Sequence, residues 1–204
     1  MDLRTFPTKG NLILAKNSLA LANQGYHLMD RKRNILIREL MGLIKEAHKI
    51  QELIDATFSQ AYTSLQHANI EQGINVVSQF AYTIPIEDSI TIQTRSIMGT
   101  EIPRVKYEPE ANTPTYSFSS SNESLDNARS AFRKVKELTI QLSTVETSAY
   151  RLATSIKKAQ KRANALKNIT IPTYTSLVSS MTNALEEKER EEFTRLKVIK
   201  KMKH

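Results

Sequence analysis

A chain of 204 residues with five glycines, 6% aromatics, no tryptophan and no cysteine is rich in helix formers and poor in the large side chains that fill a globular core. Without cysteine, neither a disulfide framework nor a thiolate metal site is available, so a reducing compartment is the simpler assumption. The formal charge of +8 invites a nucleic-acid reading, but basic and acidic residues interleave, as at Arg31, Lys32, Arg33, Arg38, Glu39, Lys45 and Glu46, which is the pattern of a solvated helix face.

The first seven residues are read as an extension with no apolar run of signal-peptide length, and no stretch approaches the roughly 20 apolar residues of a membrane span. Pro7 and Thr8 supply a stop and an N-cap hydroxyl, so a first long helix is expected over 8–69. Along it, Leu12, Ala15, Leu19, Ala22, Tyr26, Met29, Leu36, Leu40, Leu43, Ala47, Ile50 and Ile54 keep a heptad period that is interrupted at Arg33. Gly10, Gly25 and Gly42 weaken this helix by about 1 kcal/mol each relative to Ala, which suggests close approach of a partner there.

A central region, 70–123, breaks the period. Its first residues are read as a short helix with Gly73 as a break. Ile90 and Ile92 then alternate with polar residues, Met98 and Gly99 are turn formers, and Ile102 and Pro103 begin a return strand. The expected element is a β-hairpin over about 89–107. Glu71, Glu87, Asp88, Glu101, Glu108 and Glu110 make this region acidic, so the two ends of the molecule differ in electrostatic character. Pro109, Pro114 and the serines of 117–121 form a loop, and Ser120 with Glu123 reads as a capping box.

The second long helix is expected over 124–204. Ala128, Ala131, Val135, Leu138, Leu142, Val145, Ala149, Leu152, Ile156, Ala159, Ala163 and Leu166 occupy every a and d position of an unbroken heptad. Pro172 removes a donor and clashes with the carbonyl of Asn168, so a bend is expected near it. Beyond the bend, Glu186 with Arg190 and Glu191 with Arg195 pair at i,i+4, and Phe193, Leu196 and Ile199 form their own stripe. The fold class is therefore mainly α: a long antiparallel two-helix coiled coil enclosing a small β-hairpin. Its seam includes Leu19, Ala22, Leu40, Val135, Leu142, Ala149, Ile156 and Leu166, with the small residues Ala128, Ala131, Ala149, Ala159 and Ala163 set against Ala15, Ala22 or Ala47. The second helix is expected to overhang by roughly 20 residues, or about 30 Å.

No catalytic constellation emerges. A glycine-rich phosphate loop and a cysteine nucleophile are both lacking, and His27, His48, His67 and His204 are scattered. His48 with Glu52 and His67 with Glu71 lie one turn apart, a spacing common on exposed helix faces and not by itself a metal site. No cofactor is expected.

Three ordered groups of residues carry a resemblance. The opening (Pro7, Thr8, Leu12, Leu19, Ala22, Gly25, Tyr26, Leu28, Lys32, Arg33, Leu36, Glu39), the middle (Ile97, Met98, Gly99, Ile102, Pro103) and the end (Arg162, Ala163, Asn164, Ala165, Leu166, Ile171, Pro172, Leu185, Glu186, Glu187, Glu189, Arg190, Glu191, Arg195, Leu196, Lys197) resemble the D subunits of the V-type and archaeal-type rotary ATPases. Ala163, Lys167 and the polar stretch 173–179 depart from the family pattern. The resemblance implies a non-catalytic central-stalk rotor that couples ATP hydrolysis or synthesis to proton or sodium transport. It implies as partners the F subunit, the hexamer of catalytic and regulatory A and B subunits, and a funnel subunit of the C/d type above the membrane ring. It implies no direct nucleotide binding, no nucleic acid, and a place on the cytoplasmic side of the membrane. Residues expected to meet the stator ring are Arg190, Phe193, Arg195, Leu196, Lys197, Ile199 and Lys200. The competing readings are a basic coiled-coil scaffold on a membrane surface or on nucleic acid, and a structural adaptor.

Overall fold

A computed structural model describes residues 6–85, 88–108, 116 and 121–202. In chain order the elements are helix α1 (Lys9–Gln72), helix α2 (Ile74–Tyr82), strands β1 (Ile90–Ile97) and β2 (Thr100–Tyr107), helix α3 (Glu123–Ala165), a π-helical turn (Leu166–Thr170) and helix α4 (Ile171–Met202). The chain falls into two units. One joins the residues up to Asn34 with those from Ile156 onward, and the other spans Ile35–Ser155.

Helix α1 starts where the sequence places it. The Thr8 carbonyl accepts from the Leu12 amide at 2.9 Å, and its hydroxyl accepts from the Asn11 amide at 3.2 Å, which satisfies one of the donors left over at a helix start. It ends at Gly73, whose φ of 85° only glycine adopts without strain, and α2 begins on the next residue. Helix α3 opens on Asn122, whose carbonyl accepts from the amides of Leu125 and Asp126 at 3.1 and 3.3 Å. Glu123 is thus the first helical residue and not the third, which corrects the expected capping box; Ser120 lies outside the described residues. Glu123 and Asp126 still place negative charge on the first turn, where the helix dipole favours it.

Pro172 does not end the helix. One residue is absorbed by the π turn, in which the Ile171 amide donates to the Leu166 carbonyl, and Pro172 enters in the first turn of α4, where its missing donor costs least. Thr173 and Thr175 hydroxyls donate to the carbonyls of Ile169 and Ile171 at 2.6 and 2.8 Å.

In the unit spanning Ile35–Ser155, the helices run antiparallel. Ile50 and Ile54 pack on Val145, joined by Leu43, Ala47, Phe58, Leu138 and Leu142. Further along, Ala61 meets Ala131 and Val135 under Phe58 and Phe132. Leu36 and Leu152 are the largest side chains sealed completely. Phe58, Tyr62 and Phe132 stack in series, the last pair edge to face at 5.7 Å between centroids. Ala131 packs with Ala61, a partner outside the expected set, and Ala47 lies in the Ile50 cluster.

In the other unit the buried set among the described residues is Ala15, Ala22, Ala159, Ala163 and Met181. Gly25 stands against Leu166, where a Cβ would meet Leu166 Cδ1 at 3.6 Å, an ordinary contact distance. Gly10 and Gly42 have open space around them, so the close approach expected at all three glycines occurs only at Gly25.

Candidate interaction site

The hairpin is built around a two-residue turn. Ile97 pairs with Thr100, and Met98 and Gly99 both take positive φ, 49° and 73°, the requirement of a type I′ turn whose twist matches that of the strands. Counted from that closing pair, Thr94–Pro103 and Ser96–Glu101 are pairs whose backbone groups point away from the partner strand. Pro103 therefore loses no ladder bond, although it lies inside β2 and not at its start.

The outward edge of β2 meets α3. The Arg151 guanidinium donates to the Glu101 carbonyl at 3.3 Å. The Ser148 hydroxyl lies 2.7 Å from the Thr144 carbonyl and 3.4 Å from that of Pro103. The hydroxyls of Thr100 and Ser155 are 2.7 Å apart, and the Lys136 ammonium stands 5.4 Å over the Tyr107 ring. Ile102 is the one buried apolar residue of the hairpin among the described residues. The attachment is thus a row of polar contacts around a single apolar anchor. Ser148, 2% exposed, is the buried polar residue that heptad reading passes over, because a serine beside an a or d position reads as surface. Strand β1 is exposed along nearly its whole length, including Ile90 and Ile92.

A second cluster fixes Tyr116. Its hydroxyl donates to Asp126, its ring meets Phe80 edge to face at 5.3 Å, and the Arg129 guanidinium lies 5.2 Å above it. Burial, and then the hydrogen bond to Asp126, push the Tyr116 phenol above its ordinary range. Nearby, the Ser124 hydroxyl donates to Glu71 at 2.6 Å.

In the unit that contains α4, Lys9 pairs with Glu189 at 2.9 Å. Residues 190–202 of α4 extend past that pair by about 20 Å at 1.5 Å per residue, shorter than the overhang expected. All of them are exposed, Phe193 at 68% and Leu196 at 66%. Arg190, Arg195, Lys197, Ile199 and Lys200 share this exposed segment. Ion pairs Arg190–Glu186 and Arg195–Glu191, at 4.0 and 3.8 Å, are loose and solvated. Of the remaining residues singled out by sequence, Ala22 and Val135 are buried, while Leu19, Leu40, Leu142, Ala149, Ile156 and Leu166 are half-buried. Among the described residues no group of three His, Asp or Glu side chains could hold a metal ion, and no helix is long and apolar enough to cross a membrane.

Comparison with known proteins agrees with this architecture. A family model for the D subunit of ATP synthase matches residues 11–201. The V-type ATP synthase D subunit of Thermotoga neapolitana is 45% identical over 194 residues, covering 95% of this chain and 96% of its own. The A-type ATP synthase D subunit of Pyrococcus horikoshii is 32% identical over 201 residues, covering 97% and 94%. The V-type ATP synthase D subunit of Thermus thermophilus is 31% identical over 201 residues, covering 95% and 86%. With matches that run almost end to end over two long helices and the hairpin between them, the chain belongs to the family of ATP synthase D subunits.

Proposed function

We propose that this chain is the central-stalk rotor of a V-type or A-type ATPase, a non-catalytic axle that couples ATP turnover in a ring of A and B subunits to rotation and ion transport. The observation that carries the reading is 45% identity to a V-type ATP synthase D subunit over nearly the full length of both chains. Two physical features support it. Long paired helices with an apolar seam can transmit torque, and the overhanging part of α4 presents Phe193, Leu196 and Ile199 to a protein sleeve and not to another part of the described chain. Contacts there are many and weak, since a strong bond at one angle would trap a rotor. The hairpin and α2 lie toward the funnel subunit, the F subunit binds the side of the helices, and the assembly is peripheral on the cytoplasmic face.

The test is a pull-down of the tagged chain from its own cells followed by mass spectrometry. Recovery of the A, B and F subunits is expected; recovery of nucleic acid or lipid alone overturns the reading. Deleting residues from Phe193 onward impairs coupling in the assembled complex and leaves binding of the F subunit intact. Loss of the F subunit refutes the orientation.

A further inference from the structure

The seam in the unit that joins the residues up to Asn34 with those from Ile156 is built largely from alanine. Both helices carry heptad repeats, so sliding one by seven residues still sets mostly apolar residues against apolar ones, Leu152 or Leu166 in place of Ala159, and small alanine knobs discriminate such registers weakly. A directional contact in this unit adds to the choice of register. At the heptad position where the apolar series of α1 is interrupted stands Arg33, and its guanidinium is the centre of a polar network. It donates from Nη1 to Gln160 Oε1 of α3 at 2.8 Å. On its own helix, Nη2 pairs with Asp30 Oδ1 at 2.6 Å, and Nη2 and Nε lie 3.1 and 3.3 Å from Asn34 Oδ1. Asn34 donates in turn to Asp30 at 3.3 Å, and Gln160 donates to Asn164 at 2.9 Å. The side chains of Arg33 and Asp30 are only 26% and 32% exposed, which is low for charged groups on a two-helix pair.

We propose that Arg33 is a register pin: its fork, held rigid by Asp30 and Asn34, admits only the pairing of α1 and α3 that brings Gln160 to it. The sequence penalises both neighbouring alternatives. A heptad slip in one direction exchanges Gln160 for Ala153, leaving the guanidinium without its acceptor. A slip in the other exchanges it for Lys167, setting two cations against each other. A half-buried polar group that specifies pairing at some expense of stability is the best-attested use of such groups in coiled coils. Arginine suits the task because its planar fork is preorganised for several acceptors at once. The pin belongs to the isolated chain and stands whether or not the rotor reading does.

The chain has no cysteine, so introduced pairs report register directly. Gly25→Cys with Leu166→Cys reads the native register, because those positions are in contact. Gly25→Cys with Ala159→Cys and Gly25→Cys with Thr173→Cys read the two slips. In the otherwise unaltered full chain, oxidation is expected to close the native pair alone. Combining the pairs with Arg33→Leu and Gln160→Leu is expected to raise the yield of at least one slipped pair by tenfold or more, at unchanged helicity by circular dichroism. Lys167→Glu, on an exposed residue that leaves the pin itself intact, is expected to raise the Thr173 pair alone, by removing the repulsion that blocks that slip. If both backgrounds close only the native pair, Arg33 does not set the register and the proposal fails. If the doubly substituted chain loses its helicity, the outcome for Lys167→Glu decides in the same way.

Discussion

Truncating the apolar anchor of the hairpin, Ile102→Ala, separates a local attachment from a global one. Ile102 is 8% exposed, and around it β2 and α3 also meet through polar contacts from Arg151, Ser148 and Ser155 and through Lys136 over the Tyr107 ring. Ile→Ala in a core costs about 2–5 kcal/mol. With β1 exposed and nothing else buried on the described hairpin, the low end applies, about 2 kcal/mol. Each polar contact adds about 0.5–1.5 kcal/mol, so the hairpin stays attached in most molecules but opens more often once the anchor is gone. The loss falls on hairpin opening and not on the helices, because neither the Ile50–Val145 cluster nor the Ala61–Ala131 cluster includes a hairpin residue. Native-state hydrogen exchange should therefore show the cross-strand amides of Gln93, Arg95, Ile102 and Arg104 exchanging roughly 30-fold faster, at 1.4 kcal/mol per decade. The urea midpoint followed by helical circular dichroism should stay within error. If hairpin amides and helix amides accelerate together, the hairpin is part of the global core and the reasoning is wrong.

Leu152→Ala empties a fully buried site and should cost about 2–5 kcal/mol in urea denaturation; a loss under about 1 kcal/mol would mean the site collapses freely. Ala149→Trp forces an indole into a half-buried seam position and should cost about 1–3 kcal/mol, read as a lower melting temperature. The raised pKa of Tyr116 means that the folded state holds this proton after the unfolded state has released it. The stabilising contribution is complete below about pH 10 and declines as pH rises through the folded-state value. Spectrophotometric titrations of the chain and of Tyr116→Phe should differ by one tyrosine that ionises above the ordinary range.

Much of this was legible because it rests on backbone rules. Thr8 caps α1 since its hydroxyl has an amide to serve, Gly73 breaks the chain since its φ suits glycine, and Met98–Gly99 turns since a two-residue loop demands positive φ twice. What was illegible depends on how groups meet across the fold. Pro172 announces a missing donor but not the remedy, which is a π turn and not an end to the helix. Ser148, Arg151 and Ser155 look like solvent-facing neighbours of a heptad until the β2 edge lies over them. Gly10 and Gly42 suggested close contact and have none, because glycine at an exposed helical position is silent about its surroundings.

The two units divide the apolar material unequally, and their stabilities should differ accordingly. In the unit spanning Ile35–Ser155, large side chains such as Leu36, Ile50, Ile54, Val135, Val145 and Leu152 are buried; in the other, four of the five buried residues among those described are alanine. A leucine buries three more carbons than an alanine, worth about 2 kcal/mol at roughly 0.8 kcal/mol per methylene. Helix propensity returns only a few tenths of that to alanine. The alanine-rich unit therefore has the smaller free energy of local opening, and amides of α1 near Ala22 should exchange faster than those near Ile50. Equal protection at the two places would show that the helix is held as one cooperative element and that seam volume does not govern its opening. Where the seam is weakest, specificity must come from directional contacts, and the Arg33 network stands in that unit.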